Sequence, residues 1–520
     1  MFPWLTILGL LPLIGGLAMI FVRGTAAKQV GLAFSLVTLV LAIIVAFTYN
    51  TGTKGFQLAE QATWIKAIGA HYALGLDGIG LTLVLLTAFL TPVVLIASWN
   101  DPDLPKPGEP VSPDGTAVTH RWGAHAFVGL ILATEGFALF AFTATDVFLF
   151  YLFFEVILFP MYFLIGGFGG ARRAYAAGKF LLFGLFGGFV MLAAVIGLGI
   201  VSAQHGAPSY LLTDLTQLHL STNVERWLFV GFMIAFAIKA PMVPFHTWLP
   251  DSVEQSTPGG AVMLAGVMDK LGTFAMIRFC LQLFPDASKW ATPVVMVLAI
   301  ISIIYGALMA IGSKDLHRLI GWTSVSHFGF IVLGIFAFTT QSASGATFYM
   351  LNHGLSTAAL FLAAGFMIKR RGSRDISDFG GVVKATPLLA GLLLFGALSA
   401  LALPGMSSFI SEFMVLAGTF SRHPIYAVVA TIGIVLAALY ALIMYQRTAT
   451  GVPTAAVTEK FTVDLSGKER LALIPVALVI LVLGFFPKPI LSIINPTVSD
   501  TLTQHVGLTD PQPHASEGGR

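Results

Sequence analysis

Long apolar runs, each close to the length that a helix needs to cross a bilayer, alternate along the chain with short polar connections. At about 20 apolar residues per crossing, the pattern predicts fourteen spans, at approximately 2–22, 28–49, 77–98, 122–142, 145–166, 174–202, 226–248, 258–284, 290–311, 316–338, 343–368, 386–420, 424–446 and 470–491. The fold class that follows is an all-α polytopic membrane protein. The first span has no basic leader and no small-residue cleavage site, so it reads as a retained helix rather than a signal peptide. The tail from Gln504 to Arg520, with its Pro, Gly and His, reads as poorly ordered.

Two spans contain their own interruption. The stretch 386–420 is too long for one straight crossing and carries Leu403-Pro404-Gly405 near its middle, while Lys239 in the seventh span is followed by Pro241 and Pro244. Proline removes an N–H and clashes with the preceding turn, so both spans are predicted to be broken helices. Freed backbone groups at that depth need protein or a wet cavity to satisfy them. Spans 4 to 8 and 9 to 13 form two sets of five, each with its broken member fourth. Five is odd, so the sets sit inverted relative to each other, as in many secondary transporters. The domains expected are residues 1–121 (helices 1–3 and a cytoplasmic loop), 122–284 (first inverted repeat), 285–446 (second inverted repeat) and 447–520 (last helix and tail). Loops after odd-numbered spans carry 18 lysines and arginines against 7 on the other side. By the positive-inside rule the odd loops are cytoplasmic and both termini lie outside.

Composition narrows the chemistry. With 56% hydrophobic and 10% charged residues, the chain is unlike a soluble globule, whose charged fraction is roughly a quarter. A formal charge of +3 without a long basic run argues against nucleic acid. The single cysteine, Cys280, excludes an internal disulfide and an iron–sulfur cluster or thiolate zinc site supplied by this chain alone.

Against that background the charges inside the spans stand out. Glu155, Lys239, Lys270, His327 and His353 all fall near mid-span, each on a different predicted helix, and Glu412 lies beyond the break in the twelfth. A charge in hydrocarbon is costly and marks an ion or proton path by default. A lysine alters its proton affinity readily on burial, a nearby carboxylate holds it charged, and histidine titrates near neutrality. The bland alternatives are a structural ion pair for the lysines and Glu155, and a helix–helix hydrogen bond for each histidine. Asp77, Asp146 and His246 lie near predicted helix ends, where capping or interfacial anchoring is the ordinary explanation. Glu135, mid-span in the fourth helix, is expected to be paired. GGFGGARR at 166–173 follows no strand and lacks the lysine of a phosphate loop, so it reads as a turn.

Four stretches carry a resemblance. FLFYLFFEVILFPMYFLIG (148–166), KAPMVPFHTWLPDSVEQSTPGGAVMLAGVMDKLGT (239–273), SKDLHRLIGWTSVSHFGF (313–330) and LPGMSSFISEF (403–413) closely resemble, in this order, the antiporter-like membrane subunits of complex I, over roughly residues 70 to 450. Glu412 points to the branch with an acid in the broken twelfth helix, where sister subunits and multisubunit sodium/proton antiporters usually carry lysine. The resemblance implies a proton-translocating subunit of a bacterial cytoplasmic-membrane enzyme that passes electrons from NADH to quinone. Glu155 looks like the family's fifth-helix glutamate, Lys239 and Lys270 like its two lysines, His327 and His353 like the central histidines, and Glu412 like the exit-side acid. It also implies that the chain holds no cofactor, that FMN, iron–sulfur clusters and quinone belong to partner subunits, and that sister antiporter-like subunits and the lipid bilayer surround it.

Two positions depart from the family's pattern. Asp269 directly precedes Lys270, where an apolar residue is usual; it is either a private counter-ion for that lysine or faces another helix. His317 replaces a usual basic residue and is expected to be a surface change of little consequence. Three rival functions remain: an Mrp-type cation/proton antiporter subunit, a haem- or quinone-bearing protein with His246, His327 or His353 as ligands, and a passive membrane scaffold. Purification with or without NADH dehydrogenase partners, a Soret band, and the effect of neutralising Glu155 discriminate them in turn.

Overall fold

The computed structural model describes residues 2–103 and 123–511. Lys106, Arg121 and Arg520, used in the orientation count, and the expected boundary at 121/122 lie outside the described residues. Apart from the short helical turns Leu212–Leu215, Val382–Ala385 and Ala455–Lys460, the helices described are, in chain order, α1 Trp4–Ala18, α2 Gly24–Thr48, α3 Gly78–Ala97, α4 Ala124–Thr143, α5 Val147–Phe168, α6 Arg173–Gln204, α7 Thr222–Lys239, α8 Trp248–Gln255, α9 Pro258–Leu281, α10 Pro285–Ile311, α11 Leu316–Phe336, α12 Thr340–Arg371, α13 Pro387–Ala400, α14 Ser407–Arg422, α15 Pro424–Ala449, α16 Gly467–Phe485 and α17 Lys488–Val506. Among the described residues, ten helices are long and apolar enough to cross a membrane, or eleven if the bent pair α16 and α17 counts as one span. The remaining expected crossings fall on short or interrupted helices. α1 has 15 residues, and the seventh and twelfth are divided.

Both predicted breaks are present. α7 ends at Lys239 and helix resumes at Trp248. The intervening backbone is tied by the Trp248 indole N–H, which donates to the Ile238 carbonyl at 2.9 Å, and by the Ser302 hydroxyl, which accepts from Val243 N at 3.0 Å. α13 ends at Ala400 and α14 begins at Ser407. The turn between them places Ala402 and Gly405 at φ of 58° and 94°, a conformation easy for glycine and strained for alanine.

The all-α expectation is corrected by an antiparallel hairpin, β1 Gln57–Ile65 and β2 Ala70–Leu76. Gly69 at φ 72° makes the tight turn, and the Glu60 side chain accepts from the otherwise unpaired N–H groups of Leu5 and Thr6 at the start of α1. Residues 504–511, the described part of the expected tail, are better ordered than expected. Thr501–Val506 is a π-helical turn with Val506 buried, Asp510 accepts from Thr340 N at 2.7 Å, and Arg422 donates to the Thr509 carbonyl at 2.5 Å. Residues 512–520 lie outside the described residues.

Helix surroundings sort by polarity. α9, α11 and α12 are almost wholly enclosed, whereas α2, α6, α10 and α15 turn large apolar side chains outward, among them Phe47, Leu182, Val294 and Val435. The enclosed helices hold Lys270, His327 and His353. Polar groups inside and hydrocarbon outside is the arrangement lipid demands.

Candidate functional site

Glu155 sits on α5 just before a kink at Ile157. Its carboxyl lies against Gly188 of α6, and among the described residues its buried Oε1 has no hydrogen-bond partner. Lys239, the last residue of α7, is 3% exposed. Its ammonium donates to the Phe154 carbonyl at 2.9 Å and stands 4.2 Å from the centre of the Phe154 ring. Among the described residues it forms no ion pair within 4.0 Å, so Glu155 and Lys239 are neighbours that are not engaged.

Lys270 is fully buried in α9 between two π-helical turns, Met263–Met268 and Met276–Leu281. A π-turn leaves carbonyls out of the regular i to i−4 ladder and recurs at functional sites. The Lys270 ammonium donates to the carbonyl of Ala265, inside the first π-turn, and lies 2.7 Å from His353 Nδ1. The His353 and His327 rings meet edge to face with centres 5.3 Å apart. His327 Nε2 is 3.0 Å from the Tyr440 hydroxyl on α15. The Tyr349 hydroxyl on α12 donates to Glu412 Oε2 at 3.0 Å, and its ring lies 5.9 Å from that of His327. Glu412 is 4% exposed and borders a cavity of about 250 Å³ lined by the break residues Leu401 to Pro404. Lys270, His353, His327 and Glu412 thus adjoin one another, by way of Tyr440 and Tyr349, inside α9, α12, α11 and α14, while Glu155 and Lys239 are neighbours on α5 and α7.

The two tyrosines were not foreseen. In an apolar span a tyrosine reads as core. The available signal was spacing: Tyr349 is one turn before His353 on the same helix and shares its face.

Other sequence candidates have different surroundings. Asp269 is fully buried, neither oxygen has a hydrogen-bond partner among the described residues, and it lies within electrostatic reach of both Lys239 and Lys270. Asp146 caps α5, accepting from Leu149 N at 2.9 Å and from His71 N at 2.8 Å. Asp77 caps α3 through Gly80 N and pairs with Arg278 at 2.7 Å, both side chains buried. His246 is buried against Tyr305 and Trp322, with both ring nitrogens unpartnered among the described residues. Glu135 was expected to be paired; it is fully buried, and among the described residues neither oxygen has a hydrogen-bond partner.

His317 is corrected more sharply. It is 1% exposed, because the start of α11 packs under α12, and it lines a cleft of about 550 Å³ with Arg172, Gln255, Lys369 and Arg374. The surface beside it is an ion-pair network. Arg318 bridges Asp251 (2.5 Å) and Glu254 (2.6 Å), Arg172 reaches Glu254 (2.5 Å), and Lys179 reaches Asp251 (2.7 Å). The 166–173 turn is structural, with Gly170 N donating to the Gln255 carbonyl at 2.8 Å. Asp315 caps α11 from just outside the span, and burial pushes its carboxyl up to about 6 against the opposing pull of the Arg318 N–H and the Arg374 charge.

Residues 144–437 match the family described as NADH:quinone oxidoreductase/Mrp antiporter, TM. A protein of Mycobacterium tuberculosis (strain CDC 1551 / Oshkosh), named NADH-quinone oxidoreductase subunit M, is 49% identical over 98% of this chain and 96% of its own length. Among solved structures, a chain of the respiratory complex I from Thermus thermophilus with bound NADH superposes with a TM-score of 0.86 at 30% identity, covering 97% of this chain and 100% of that one. A chain of the Mrp complex from Dietzia sp. DQ12-45-1b superposes with a TM-score of 0.81 at 21% identity, covering 97% and 98%, a likeness of fold.

Proposed function

This chain belongs to the NADH:quinone oxidoreductase/Mrp antiporter family, in its subunit M branch, and from that premise we propose that it carries protons across a bacterial plasma membrane along the line from Glu155 to Glu412. It is a subunit of an oxidoreductase. Partner subunits hold the FMN, iron–sulfur clusters and quinone and pass electrons from NADH, while this chain, beside sister antiporter-like subunits, moves the ion. Glu155 and Lys239 are the switchable pair; Lys270, His353 and His327 relay the proton; Tyr440 and Tyr349 close the gap to Glu412, which releases it outside. Asp269 is a counter-charge that answers to both lysines. Fourteen crossings, the inverted repeats 122–284 and 285–446, and external termini complete the reading.

The observation that carries it is the order of contacts: Lys270 to His353 at 2.7 Å, His327 to Tyr440 at 3.0 Å and Tyr349 to Glu412 at 3.0 Å, all enclosed by protein. The energy scale is adequate. Moving one charge against the membrane costs about 2.3 kcal/mol per 100 mV. Two charges meeting near 4 Å at an effective dielectric of about 20 interact by about 4 kcal/mol.

The test is Glu412→Gln in the assembled oxidoreductase in inverted vesicles. NADH oxidation by uncoupled vesicles is expected to persist while acidification falls; unchanged acidification at equal assembly refutes the relay. The Mrp complex shares this fold. A native preparation that exchanges sodium for protons and brings no NADH dehydrogenase activity with it would favour that second reading.

A further inference from the structure

Gly188 lies in α6, on the stretch that passes between α5 and α7. A methyl group built there would come within 2.2 Å of the Glu155 carboxyl carbon and 2.3 Å of both its oxygens. The carboxyl therefore occupies the space that any other residue at 188 would fill. Its neighbour Gly187, about 100° further round the helix, lies against Ala235 and Ile238 of α7, one residue short of Lys239. α6 is thus thinnest where it separates the glutamate's helix from the lysine's. The lysine ammonium already reaches the Phe154 carbonyl, the residue before Glu155. The ammonium and the Glu155 carboxyl are therefore near neighbours.

We propose that Gly188 is a positioning residue: it forms the seat in which Glu155 rests when disengaged from Lys239. The proposal rests on the reading of Glu155 and Lys239 as a switchable pair and adds the second position that a switch requires. Without a seat the carboxyl has one stable place, beside the ammonium, and the pair stays closed. A methyl at 188 drives the carboxyl out by roughly 1.5 Å to reach ordinary van der Waals separation. The displaced atoms are the far end of a flexible side chain, so the fold survives. The titratable groups within reach of the carboxylate are Tyr151, one turn earlier on α5, and Lys239.

The test compares Gly188→Ala, Glu155→Gln and Gly178→Ala in the whole oxidoreductase, in inverted vesicles, with uncoupled NADH oxidation, acidification and its pH profile measured separately. Gly178 is on the same helix with open space around its Cα, so its alanine variant is the control. Gly188→Ala is expected to slow acidification by about threefold or more relative to Gly178→Ala and to displace its pH profile. A cryo-EM map of the variant is expected to show Glu155 within about 4 Å of Lys239, the ordinary ion-pair distance. Adding Glu155→Asp, one methylene shorter, is expected to restore acidification to Gly188→Ala. If Glu155→Gln abolishes acidification while Gly188→Ala keeps the native rate and pH profile, the seat is refuted and the pair stands. If Glu155→Gln acidifies normally, the pair itself fails. If Gly188→Ala is impaired or does not assemble and Glu155→Asp brings no recovery, the glycine serves helix packing and the seat is again refuted.

Discussion

Lys239→Met removes the charge of the proposed switch while keeping a long unbranched side chain. Without the ammonium the Phe154 carbonyl loses its partner at 2.9 Å, a local cost of about 1–3 kcal/mol. The break after α7 keeps its other ties, Trp248 to Ile238 and Val243 to Ser302, so the subunit still assembles. What disappears is the pair energy of about 4 kcal/mol, enough in the native protein to lift one proton against roughly 180 mV. Its loss slows the driven step by on the order of a thousandfold. Acidification driven by NADH is measured in inverted vesicles, normalised to assembled enzyme and to uncoupled electron transfer. Lys289→Met serves as control, because Lys289 lies on the surface beside Asp286. Native acidification in Lys239→Met at full assembly refutes the reasoning, because a neutral thioether has no charge for Glu155 to answer.

The tyrosines give a graded test. Tyr349→Phe deletes a hydrogen bond to a carboxylate, worth about 1.5–3 kcal/mol, and is expected to slow acidification about 10- to 100-fold. Tyr440→Phe deletes a bond to a neutral ring and is expected to cost about tenfold or less; native rates in both variants refute a relay through the hydroxyls. Asp315, raised to about 6 in the folded protein, favours the fold fully below its unfolded value near 3.9 and loses up to about 3 kcal/mol of that contribution as pH rises through 6. Thermal inactivation of the solubilised enzyme from pH 4 to 7 is expected to show Asp315→Asn, which keeps the cap, gaining on the native protein as pH rises; parallel curves refute the assignment.

How far the sequence carried depended on whether a feature is local. The interruptions after Lys239 and around Pro404 were legible because proline and glycine act on their own backbone, and helix ends at Lys239 and Ala400. The hairpin was missed because a single pair of strands beside fourteen apolar runs is a weak signal, and its register depends on Glu60 reaching α1. His317 looked like a surface residue because its loop is basic, yet burial is set by α12 passing over it, which nothing in the sequence of that loop records. Glu135 looked paired because an isolated buried carboxylate is costly; which helix faces it is decided by packing. The π-turns flanking Lys270 are likewise invisible in MLAGVM and MIRFCL, which are good helix sequences.

Those turns bear on how the lysines of the proposed relay would exchange protons. Each ammonium is solvated by a backbone carbonyl rather than by a carboxylate: Lys239 by Phe154, just ahead of the kink in α5, and Lys270 by Ala265, inside a π-turn. A lysine in a tight buried ion pair that gives up its proton leaves an uncompensated charge, at a cost of several kcal/mol. A lysine held by a carbonyl leaves behind only a neutral dipole with its hydrogen bond rearranged. Helix discontinuities therefore do more than bend the path. They supply neutral acceptors that make a buried ammonium affordable without fixing its proton. In the proposed relay, control then passes to carboxylates that are close but not bonded, Glu155 against Gly188 and Asp269 within electrostatic reach of both lysines.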